Sequence, residues 1–173
     1  MIKLIIELSN LWDDYYSLKH VDGSLRADKI INDELKHTLS ELNKDKCFKN
    51  LTVGSSSGEG NITRAPWLAS FDSRVTKSAT QGFYVVFLFS TDMKTLTLEL
   101  GLGATQFTNF YGQNKKALEE IRNAALRMQN HAVPIATDLC DSKLLNRLQK
   151  GPSRITDKKG YSLQRGYEEG AIL

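Results

Sequence analysis

The sequence predicts a mixed α+β fold: a mainly antiparallel sheet with helices before, within and after it. Three observations predict it. Leu4, Ile5, Leu8, Leu11, Trp12 and Tyr15 recur at three- and four-residue steps and draw one apolar stripe. Two β-prone runs, Phe83 to Phe89 and Thr95 to Leu100, flank the short segment Thr91-Asp92-Met93-Lys94. A second apolar stripe, Leu118, Ile121, Ala125 and Met128, marks a later helix.

The elements follow in order. Residues 2–19 form the first helix. Gly23 and Ser24 punctuate the chain after it, and a second helix starts near Ala27, with Ser24 or Asp28 able to cap it. Ile31, Leu35, Leu39 and Leu42 carry its buried side, and Lys44-Asp45-Lys46 is its frayed end. Leu51-Thr52-Val53 reads as a short strand. Gly54-Ser55-Ser56-Ser57-Gly58-Glu59-Gly60-Asn61 then reads as a flexible loop of small hydrogen-bonding residues. Trp67-Leu68-Ala69-Ser70-Phe71 resumes an alternating strand. The runs at 83–89 and 95–100 make a hairpin turned at 91–94. A helix runs from about Gln113 to Asn130, with Lys115 and Glu119, and Lys116 and Glu120, on its outer side. Asp141 caps a short helix over 142–149, stopped by Gly151-Pro152. The last segment, 153–173, alternates weakly and reads as one or two late strands, with turns at 157–160 and 165–166.

With 173 residues, the expectation is a single domain, helices over 1–49 and a sheet-based core over 50–173. No uninterrupted apolar run reaches membrane-spanning length, and Glu7 falls inside what would be the apolar part of a signal peptide. A cytoplasmic protein is therefore expected. Cys47 and Cys140 read as two reduced thiols, and His20, His37 and His131 do not cluster with them, so no zinc site is expected. The net charge is +3. Lys143, Arg147, Lys150, Arg154, Lys158, Lys159 and Arg165 face one acid, Asp157, and such an excess attracts polyanions.

Little in the chain suggests catalysis. The glycine-rich run at 54–60 lacks the lysine of a phosphate loop and leads to Pro66 and a strand, not to a helix N-terminus. The triple serine has no histidine in a neighbouring motif. Glu99 has no second acid close by to share a metal ion as a nuclease would. The 54–66 loop is the more informative feature. Ser55, Ser56, Ser57, Glu59, Asn61, Thr63 and Arg64 can all donate to or accept from base edges.

Several segments resemble a known family. They are Val53 to Gly60, Ala65-Pro66-Trp67-Leu68-Ala69-Ser70-Phe71-Asp72, Thr76 to Ala79, Gly82 to Phe89, Leu96 to Gly101, and the tail Arg165-Gly166-Tyr167-Glu168-Glu169-Gly170-Ala171-Ile172. In this order they resemble the MrcB-like N-terminal domain, which stands at the front of McrB-type GTP-dependent restriction subunits, including LlaJI-type systems. The resemblance covers roughly residues 50–173.

It implies a non-catalytic domain that binds double-stranded DNA and selects the target, with no cofactor of its own. A motor domain of the same polypeptide, expected after Leu173, would hydrolyse GTP, and a separate nuclease subunit would cut. The implied fold is an open pseudobarrel like the plant B-three and EcoRII effector domains, with two arms that grip the major groove. The 55–64 segment fits the first arm. Asp92, Met93 and Lys94 at the hairpin tip are the best second arm, and the basic 143–165 segment is its rival. Lys77, Arg74, Arg154, Lys158 and Lys159 would take phosphates. Two other functions stay open. One is a methylated-base reader that cages a flipped ring with Trp67, Phe71 and Tyr84. The other is a protein-interaction module that docks the motor through the helices at 2–46.

Overall fold

Four strands in chain order form one antiparallel sheet: β1 (Leu51–Glu59), β2 (Asn61–Asp72), β3 (Phe83–Phe89) and β4 (Leu96–Leu102). The computed structural model describes residues 1–44, 50–139 and 162–172. By its contacts the chain divides into two units, Met1–Lys77 with Val85–Leu98, and Ser78–Tyr84 with Glu99–Leu173. Helices and an antiparallel sheet together make the expected α+β class.

In the first unit, helix α1 (Ile2–Ser17) buries Leu8, Trp12 and Tyr15, the stripe expected from spacing. The second helix is irregular. It begins as α2 (Arg26–Lys29), widens to a π-helical turn over Ile30–Leu35 and ends as α3 (Lys36–Leu42). The wide turn lets Ile30, Ile31 and Leu35 all bury while Asn32 turns toward β1. These helices cover one face of the sheet. Their side chains meet Ile62, Leu68, Phe89 and Met93 in a single core. The expected cap is corrected. Leu25 is the residue before the helix, and no side chain caps it. Asp22 instead accepts from the Ser24 amide and hydroxyl, and Asp28 turns into the core.

The largest correction concerns residues 54–61, which are strand and turn rather than a flexible loop. β1 continues through Gly54, Ser55 and Ser56, paired with Ala69, Leu68 and Trp67. Small side chains suit it because Phe71 lies close: a Cβ on Gly54 would stand 2.7 Å from the Phe71 ring. β2 accordingly starts at Asn61, six residues before the expected strand.

In the second unit, helix α4 (Thr105–Tyr111) was not expected, and α5 (Lys115–Leu139) extends beyond the expected end. The expected late strands are corrected over Leu163–Glu169, which form helix α6. Ser162 caps it by accepting from the Arg165 amide, and Gly166, read as part of a turn, lies inside it. A Cβ on Gly166 would come within 2.9 Å of Ala104, so the glycine permits close packing. Among the described residues of this segment, Ala171 alone pairs as a strand residue, with Gly101. Leu102, Ala125 and Ile172 form this unit's core. Cys47, Cys140, the 142–149 helix and the 157–160 turn lie outside the described residues.

Candidate nucleic-acid interface

The β1–β2 hairpin owes its tip to an irregular register. Between the pairs Ser56 with Trp67 and Gly58 with Ile62, one β1 residue, Ser57, faces four on β2, residues 63–66. Within the surplus on β2, Arg64 is exposed while Ala65 and Pro66 are buried, and Pro66, which has no amide to donate, falls where the ladder is broken. Gly58 has φ +135°, and a Cβ there would stand 2.0 Å from the Asn61 carbonyl, so this turn requires glycine.

The tip is braced from two sides. From outside, the chain leaving α1 pairs with it. The Ile62 amide donates to the Lys19 carbonyl at 2.8 Å, and the Val21 amide donates to the Gly60 carbonyl at 2.9 Å. His20 and Asn61 face each other across this bridge. Lys19 takes the left-handed conformation, φ 68°, to make the turn. From beneath, a polar network ties β1 to the helices. Asp28 Oδ1 accepts from Tyr15 Oη at 3.0 Å, Asn32 Nδ2 at 3.0 Å and Ser57 Oγ at 2.5 Å. Asn32 Oδ1 accepts from Ser55 Oγ at 2.9 Å. Burial, with Asp28 as a partner, pushes the Tyr15 phenol above its ordinary range.

This geometry sorts the residues expected to read bases. Glu59, Asn61 and Arg64 are exposed, as expected. Ser55 and Ser57 are corrected: their hydroxyls are spent on Asn32 and Asp28, and Ser57 is 1% exposed. Ser56 accepts from the Gly58 amide, and Thr63 accepts from the Ala65 amide, so both shape the tip. Arg64 lies over the Tyr16 ring, its Cζ 4.7 Å from the centroid, and its Nε donates to Tyr16 Oη at 3.1 Å. Among the described residues no carboxylate pairs with Arg64. Its two terminal nitrogens therefore point from a stiffened stem.

The structure adds Tyr16, Lys19 and His20 to the tip. Lys19 and His20 are exposed and flank Asn61 through the bridge. Nothing local in the sequence marks them, because their position comes from pairing with a strand forty residues away.

The 91–94 turn is a tighter object than a reading arm. Asp92 Oδ1 accepts from Ser90 Oγ at 2.7 Å and the Lys94 amide at 3.1 Å, which holds its carboxyl below the usual range. Met93 is corrected: it has φ 57° and its side chain is buried in the helix–sheet core. Lys94 and Asp92 are both exposed, Asp92 with its Oδ1 tied within the turn. Lys77 is exposed, but Arg74 is clamped on Asp72, with Nη2 to Oδ2 at 2.6 Å. Phe71 and Tyr84 are buried, and Trp67, edge-on to Phe71, is half-buried. Arg154, Lys158 and Lys159 lie outside the described residues. Among the described residues no three His, Cys, Asp or Glu side chains gather to hold a metal, and no helix is long and apolar enough to cross a membrane.

The tip therefore gathers a guanidinium and an amide on a braced hairpin, with the Lys19 ammonium brought beside them by the chain leaving α1. The chain belongs to the family of MrcB-like, N-terminal domains, whose model matches residues 12–173. Neither the curated proteins nor the solved structures give a match.

Proposed function

We propose that the chain is the target-recognition domain of a McrB-family restriction system and binds double-stranded DNA through the tip of the β1–β2 hairpin. The observation that carries this is the tip itself: Asn61 and Arg64 exposed beside Lys19 and His20, on a support that leaves them little freedom. Arg64 has the fork that matches guanine in the major groove, and Asn61 has the amide that matches adenine. Lys19, Lys77 and Lys94 supply phosphate contacts, which position the domain without reading sequence. Ser55 and Ser57 act beneath the surface. The reading has the hairpin serve as one arm of a B-three-like pseudobarrel in a LlaJI-type, phage-defence context. A GTP-driven motor domain and a nuclease subunit are the partners it implies, and cutting belongs to them.

Arg64→Ala tests it. Specific binding should weaken by about 1–3 kcal/mol, with base preference relaxed at one position, in mobility shifts over a panel of site variants. Equal affinity across that panel for the variant and the parent would remove the hairpin from the reading. A docking role for the helices has one observation behind it, the exposed Ile2 and Ile6 one turn apart on α1. Failure of the parent chain to bind any duplex at low salt would favour that role.

A further inference from the structure

The second unit has a surface that the hairpin reading leaves unused. From Leu100 to Leu118 the chain has no acid, yet it holds Phe107, Phe110, Tyr111, Lys115 and Lys116 and the amides of Gln106, Asn109, Gln113 and Asn114. The corner between α4 and α5 displays most of them. Helix α4 buries none of its residues, and Phe110 is 81% exposed. A large ring in water is ordinary when it swings freely. This one is held: the Phe110 and Tyr111 rings meet edge to face at 4.8 Å and 75°, and Lys116 Nζ sits 5.4 Å from the Tyr111 centroid on the other element. Lys115 reaches Glu119 only at 3.8 Å, and its side chain is almost wholly solvated, so little holds it there. Gly112 turns the chain between the helices with φ 80°, and Asn114 stays behind as the α5 cap, accepting from the Ala117 amide.

We infer that this corner is a second DNA contact, in which Phe110 wedges against a base step and Lys115 and Lys116 take the flanking phosphates. The chemistry selects this partner. A protein hot spot would also use an aromatic anchor, but lysines and amides around the ring, with Glu119 beside Lys115 as the neighbouring acid, complement a polyanion. Proteins that insert apolar side chains between base steps use this combination of a stiff wedge and neighbouring cations. Tyr111 supplies the stiffness, so the ring enters without first losing rotational freedom. The inference takes from the proposed function only that the chain binds duplex DNA; it does not need the hairpin to be the reader.

The test uses the whole chain, a fluorescein-labelled duplex and anisotropy titrations at several salt concentrations. Phe110→Ala should lower affinity about tenfold, as loss of one aromatic–base contact does. K115A/K116A should flatten the salt slope by about 2. F110W, read against the parent's own tryptophan emission, should be quenched when duplex saturates it. Melting temperatures of the three variants should match the parent, since all three side chains lie at the surface. If F110A and K115A/K116A bind as the parent does and F110W emission stays unchanged, while R64A still loses affinity, the corner is not a DNA contact and the hairpin reading stands. If R64A binds every site variant normally while F110A loses affinity, the corner is upheld and the hairpin reading falls.

Discussion

Asp28 in the first unit and Glu168 and Glu169 in the second are all buried carboxylates, yet their partners differ in kind. Asp28 is satisfied by neutral donors, Tyr15, Asn32 and Ser57, two of which are themselves buried. Glu169 takes Arg122 through two nitrogens, at 2.6 and 2.8 Å, and also Arg165 at 2.5 Å, while Glu168 takes Arg165 at 2.5 Å. Both arrangements fasten segments distant in sequence, β1 to the helices in one and α5 to α6 in the other. The difference lies in which partner can return to water. Arg122 is 52% exposed and Arg165 29%, whereas the glutamates cannot reach solvent. In the first unit, acid and donors are trapped together. A buried acid held only by neutral donors fixes their direction, which stiffens the hairpin they support.

The sharpest way to break the comparison is Arg165→Ala. It strips one donor from each of two buried acids and should cost about 3–5 kcal/mol, read from the urea midpoint. Arg122→Ala should cost less, because Glu169 keeps Arg165. Asp28→Ala comes next, at about 2–3 kcal/mol, since it strands buried hydroxyl donors without leaving a buried charge. It should also weaken specific DNA binding beyond its effect on stability. Equal losses for Arg165→Ala and Asp28→Ala would mean that acids held by ionic partners and by neutral donors do not differ in this way.

The hairpin permits a finer test, between two glycines two residues apart. Gly58→Ala sets a Cβ against the Asn61 carbonyl and should cost about 2 kcal/mol, with loss of DNA binding. At Gly60, φ is +72° with nothing within 4 Å of a Cβ, and Gly60→Asn should cost less than about 1 kcal/mol, because asparagine tolerates the left-handed region. Matching thermal shifts for the two variants would show that the tip yields, and that its bracing does not hold the exposed side chains.

These contrasts also explain what could be read in advance. α1 and the 83–100 hairpin were legible because one face of each is buried, so their apolar residues fall into helical or alternating periods. β1 was legible only at Leu51-Thr52-Val53, because Gly54-Ser55-Ser56-Ser57-Gly58 has no apolar period; that stretch is strand because Asp28, Asn32 and β2 take up its polar groups. α6 was misread because its glycine serves packing rather than a turn. At the site, Glu59, Asn61 and Arg64 were legible as polar groups beside glycines. Ser57 and Met93 were misplaced because burial of a hydroxyl depends on a distant acid, and burial of the methionine depends on the helix layer above it. Lys19 and His20 were missed because pairing with a distant strand, not any local pattern, sets their place.

The smallest expected effect concerns an ion pair in water, the counterpart of the trapped ones. The Arg74 guanidinium and amide hold the Asp72 carboxyl down at about 2, against 3.8 ordinarily. A depressed carboxyl contributes stability that is complete above the unfolded value and is lost as pH falls through the folded one. The window is therefore pH 4 down to 2, with stability falling toward acid. Asp72 lies at the end of β2 opposite Leu51, so the pair secures the far end of the hairpin, not its tip. Melting temperatures of the parent and of Asp72→Asn, followed from pH 5 to 2, should converge as acid neutralises the parent's carboxyl. Solvent screening keeps the gap small at neutral pH, well below that of Arg165→Ala. Parallel curves would show that the pair gives the strand end nothing, and that only the buried acids fasten these segments.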